Sequence, residues 1–125
     1  MRKTLFLIFH FVLCGELAAD DFKVEDVIHP VVIKLGKPKV IVALGEGHMA
    51  ISSSSEIAAS HVAQGLGRMN ASWDFEAYRH FCEAARVDPE CLMAYWGIAM
   101  SLAGSQHEFF SERRAAVDRM LDLLE

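Results

Sequence analysis

The chain is short of cysteine and has no block of basic charge, and each shortage excludes something. Three cysteines in 125 residues are too few for a disulfide framework, and none has zinc-ligand spacing to another. Twelve lysines and arginines against seventeen aspartates and glutamates give a net charge of −5, so a nucleic-acid partner is not expected. No apolar run reaches the roughly 20 residues that a membrane helix needs. No dinucleotide fingerprint, P-loop lysine, nucleophile elbow or His-Glu-x-x-His helix is present. At this length, one small domain is the upper bound.

What is present begins with MRKTLFLIFHFVLCGELAAD. Arg2 and Lys3 precede an apolar run from Leu5 to Cys14, and small residues follow at Ala18 and Ala19. That is the layout of an export signal, so residues 1–19 are expected to be removed and the mature, exported chain to begin at Asp20. After that cleavage no membrane-spanning segment is expected. The competing readings are lipidation at Cys14 and an uncleaved anchor. Export would place Cys82 and Cys91 under oxidising conditions, where they either pair or stay free and buried.

Residues 20–55 carry two β-branched runs, Val31-Val32-Ile33 and Val40-Ile41-Val42, separated by Gly36-Lys37-Pro38. These predict short strands or extended pieces. Gly45, Gly47 and Ser52–Ser55 mark a loop, and Ser53 with Glu56 is a capping-box pattern for the next helix.

From Glu56 the periodicity is helical. Ile57, Val62, Leu66 and Met69 are the larger apolar residues of a first helix, and Phe75, Tyr78, Phe81, Cys82 and Ala85 form a stripe on a second. Asp88 and Pro89 read as the cap and first residue of a third helix, with Leu92, Tyr95, Trp96, Ala99, Met100 and Ala103 on one face. A last helix is expected from about Glu112 to Leu124. The class is mainly α.

His61, Gln64 and Gly65 reappear as Tyr95, Ile98 and Ala99, an offset of 34 residues from position 61 to position 95. Gly65, Ala77, Phe81, Ala84 and Pro89 then form a small, small, large, small, proline pattern. With Ala94, Tyr95, Trp96, Ile98 and Ala99 opening a second unit, the chain resembles the tetratricopeptide repeat family. A longer turn at residues 104–110 brings Ala116, Met120 and Leu123 into register with Ala77, Phe81 and Ala84. The segments LGEGHMAIS, AQGLGRM and EAYRHFCEAARVDPECLMAYWGIAMSL are similar to a group of bacterial exported proteins of that family.

The resemblance implies two helical repeats, at 56–89 and 90–125, behind an extended or β-like segment and loop at 20–55. It implies a scaffold for a protein or peptide partner rather than an enzyme, with no cofactor. Gln64, Arg68 and Ser101 are the expected partner contacts on the concave face. Gly65, Ala77, Phe81, Ala84, Pro89, Tyr95, Trp96 and Ala99 are the expected packing residues. Two repeats are fewer than the three such stacks usually need, so self-association or further repeats are expected. The alternative is a metal or ligand site, or an enzyme, in the loop around Glu46, His48 and Ser52. A single histidine without other ligands at the right spacing argues against it. His61 is expected in the core and His80 at the surface beside Arg79.

Overall fold

A computed structural model of the chain describes residues 21–41, 50–104 and 107–125. The expected export signal, and Glu46 and His48 of the loop, lie outside the described residues. Among these residues five α-helices follow a 3-10 turn at Val24–Val27: α1 (Pro30–Leu35), α2 (Glu56–Asn70), α3 (Asp74–Val87), α4 (Leu92–Ser101) and α5 (Phe110–Asp122). A second 3-10 turn, His107–Phe109, leads into α5. Among the described residues there is no strand.

The helices stack in chain order. α2 packs on α3, α3 on α4 and α4 on α5, while α2 also touches α4. Helix α3 is the centre. Ala77, Tyr78, His80 and every residue from Phe81 to Ala85 are buried, more than one face of a surface helix would bury. The ring of Phe81 sets the spacing of its neighbours. A methyl group on Gly65 would stand 2.6 Å from that ring, and one on Gly97 would also overlap it. Glycine at both positions lets α2 and α4 close on the same aromatic face. A side chain there would force strain costing typically 1–3 kcal/mol.

Residues 22–41 form a strap over the outer side of this stack. The 3-10 turn lies against α5 and α3. Tyr78 is its main anchor: the hydroxyl donates to the Val27 carbonyl at 2.8 Å and accepts from the His29 N–H at 2.9 Å. Phe22 meets Tyr95 edge-on at 5.5 Å, with the Arg119 guanidinium over its other side at 5.0 Å. His29 and Tyr78 both pack on Phe109. Farther along, Arg79 donates to the Leu35 and Gly36 carbonyls, and Lys37 reaches Glu83 at 3.4 Å.

Three local expectations are corrected. Val31-Val32-Ile33 is helical, because Pro30 occupies the first position of α1 and the His29 ring accepts from the Val31 N–H at 3.2 Å. The preset φ of proline and a capped N-terminus outweigh a β-branched run that has no neighbouring strand. Asp88 and Pro89 do not begin α4. Asp88 makes a turn instead, its side chain accepting from the Glu90 N–H at 3.1 Å and its carbonyl from the Cys91 N–H at 3.0 Å. Cys91 is the residue that precedes the helix. Finally, Ser55 rather than Ser53 caps α2, accepting from the Ala58 N–H at 3.3 Å. Ser53 instead donates to the Asp88 carboxylate at 2.6 Å, tying the loop to the α3–α4 turn.

Candidate functional site

The three residues expected to meet a partner do not come together. Arg68 is buried, with its guanidinium 5.5 Å from the centre of the Trp73 ring. Ser101 is buried and donates to the Ile98 carbonyl one turn back at 3.2 Å. Gln64 faces outward, but its amide is engaged with the strap, accepting from the Ile41 N–H at 3.3 Å and donating to the Ile41 carbonyl at 3.0 Å. The 34-residue offset placed these positions on helices correctly but left the rotation of each helix undetermined.

The solvent side of α4 is carried by other residues. Met93, Trp96 and Met100 recur at helical spacing; the first two are half-buried and Met100 is 46% exposed. On the adjoining α2, Ser60 and Gly67 are exposed one turn either side of Gln64. The result is an apolar ridge of soft side chains on α4, while the strap reaches the α2 face at Gln64. Methionine and tryptophan suit a surface that adapts to an apolar partner side chain. Both Trp96 and Met100 belonged to the expected stripe of α4. Their exposure was hidden because Tyr95 and Ile98 bury the other side of a helix that is apolar all round.

The expected packing residues fare better. Gly65, Ala77, Phe81, Ala84, Tyr95 and Ala99 are all buried, and the Tyr95 hydroxyl donates to the Pro89 carbonyl at 2.8 Å. Pro89 itself is exposed in its turn and Trp96 is half-buried. Gly97 shares the Phe81 contact, a role the repeat register assigned to Ala99. The signal was a glycine inside an otherwise unbroken apolar helix.

Two buried histidines meet in the interior. His61 is buried as expected. His80 is fully buried, not at the surface, and its Nδ1 lies 3.0 Å from that of His61. One ring therefore donates to the other, an arrangement that holds when at least one is neutral. Burial pushes both below the usual histidine value: His61 against the opposing pull of Glu83, and His80 to about 4 with the added repulsion of His61. Nε2 of His80 has no hydrogen-bond partner among the described residues. Cys82 and Cys91 are free and buried, and burial raises both thiols above their ordinary range. They are poor nucleophiles.

Of the loop residues, Ser52 is exposed. Among the described residues no three histidine, cysteine or acidic side chains gather in a way that would hold a metal ion. No helix among them is long and apolar enough to cross a membrane. No family model, curated protein or solved structure matches the chain.

Proposed function

We propose that the chain is a helical-repeat interaction module of the tetratricopeptide type, holding a peptide or partner helix on the face shared by α2 and α4. The observation that carries the reading is the Met93–Trp96–Met100 ridge on the solvent side of α4. Helices stacked in chain order, each burying one side on the next, support a repeat architecture, as does the Phe81 contact with two glycines. A partner with a leucine or phenylalanine at helical spacing would lay that side chain beside Trp96. The 34-residue period and the segments similar to exported bacterial repeat proteins agree with this reading, and residues 1–19, with Arg2 and Lys3 before an apolar run, would be its export signal.

The test is selection of peptides from a displayed library against the full chain, followed by titration of the selected peptide. Trp96→Ala and Met100→Ala are expected to weaken binding at least about tenfold each, the scale of a buried aromatic or Met anchor. Neither should shift the melting temperature as a core truncation would. A peptide whose affinity ignores both substitutions would place the binding face elsewhere.

A further inference from the structure

Beneath the strap is a cavity that the repeat reading does not use. It has a volume of about 270 Å³ and lies between α1, the turn after it and the outer side of α3. Ile28, Val32, Pro38 and Cys82 make its apolar part, and Lys37, Arg79, Glu83 and Arg86 its polar part. An apolar cavity of about 150 Å³ is enough to take up benzene, so this one has room for a small ring or a medium-length alkyl chain.

Its charge is not balanced. Arg86 holds Glu83 through two hydrogen bonds, at 2.8 and 2.5 Å, and this pairing keeps the Glu83 carboxyl below its usual range. Lys37 is a second cation on the same carboxylate, and it is mostly exposed. A cation held to an already paired carboxylate, through an exposed side chain, costs little to move. Arg79 is different: its guanidinium is fixed by Glu76 at 2.8 Å and by the Leu35 and Gly36 carbonyls. Its Nε is buried and has no hydrogen-bond partner among the described residues. Three cations (Lys37, Arg79 and Arg86) meet two carboxylates (Glu76 and Glu83) here, so the site has one positive charge in excess and a mobile ammonium group.

We infer that this cavity binds a small apolar monocarboxylate. The carboxylate pairs with Lys37, and the hydrocarbon occupies the space between Val32, Pro38 and Cys82. Lys37, now a second cation on a carboxylate that Arg86 already holds, gains an acceptor of its own, and a hydrogen bond between charged groups is the stronger kind. The ligand would also cross-link α1 to α3 and hold the strap in place.

The experiment is titration of the full chain with octanoate, followed by amide NMR shifts and by calorimetry, with octylamine and 1-octanol as probes of the same chain length. Octanoate is expected to saturate, with shifts confined to residues 28–38 and 79–86. The amine is expected not to bind, and the alcohol to bind at least about tenfold more weakly. Ile33→Trp, at an exposed position on the cavity wall, is expected to abolish binding with the fold intact. Lys37→Gln is expected to weaken it about three- to tenfold. The inference is overturned if octanoate shows no saturable binding up to about 10 mM, if octylamine binds as well, or if Ile33→Trp leaves octanoate binding unchanged.

Discussion

At the scale of single residues, the histidine pair makes the fold sensitive to acid. His61 and His80 are neutral when folded and ordinary when unfolded, so the unfolded chain takes up protons that the folded chain refuses. Stability is then full above the unfolded value of about 6.5 and falls as the pH drops toward the folded value of His80, about 4, below which the loss levels off. The groups facing the pair do not cancel this. Glu83 and Glu76 favour protonation, while Arg86, Lys37, Arg68 and Arg79 oppose it. For His80 the full effect is on the order of 3 kcal/mol. Urea denaturation at a series of pH values should show that loss, and His80→Gln should flatten the slope between about pH 4 and 6.5. The burial of His80 was legible in its spacing, since it lies on the Ala77–Phe81–Ala84 side of α3. Its residue type and the neighbouring arginine pointed the other way.

At the scale of elements, the turn between α2 and α3 shows what sequence patterns convey and what they miss. The ends of α2 and α3 fall within a residue or so of where the apolar period places them. How α2 ends was not visible. The Ser72 N–H donates to the Met69 carbonyl at 2.9 Å and the Trp73 N–H to the Arg68 carbonyl at 2.9 Å, with Ser72 at φ 59°. This is a Schellman ending with serine in the left-handed position that glycine usually takes. Ser72→Gly should therefore stabilise the fold by about 0.5–1 kcal/mol, the steric cost that a Cβ brings there less the greater freedom of glycine in the unfolded chain. A denaturant midpoint that fell instead would mean the serine hydroxyl matters more than its backbone. Helix α1 fails in the opposite direction: Val-Val-Ile looks like a strand only if the His29-Pro30 start before it is ignored.

At the scale of the whole molecule, the run of helices was legible and the strap was not. The stack follows from short-range periodicity. The strap depends on pairings such as Tyr78 with Val27 and Gln64 with Ile41, separated by 51 and 23 positions, for which a single sequence carries no local signal. The two buried thiols report on these layers separately. Cys82 lies under the strap and donates to the Val27 carbonyl at 3.7 Å, whereas Cys91 lies at the α3–α4 turn. In a Cys14→Ser background, neither thiol should react quickly with a disulfide reagent in native buffer. Tyr78→Phe removes both hydrogen bonds of its hydroxyl, a loss of about 1–3 kcal/mol. It should speed labelling of Cys82 much more than that of Cys91. Equal acceleration would show that strap and stack open as one unit.

The contact between Phe22 and Arg119 also sets an order of events during synthesis, because 97 positions separate them. On a ribosome adding about 5–20 residues each second, the strap emerges several seconds before α5, on which it docks, has been made. Until α5 follows, Val24 and Val27 have only the earlier-made α3 to lean on. The strap, though translated early, therefore gains the last of its cover only when the last described helix is made.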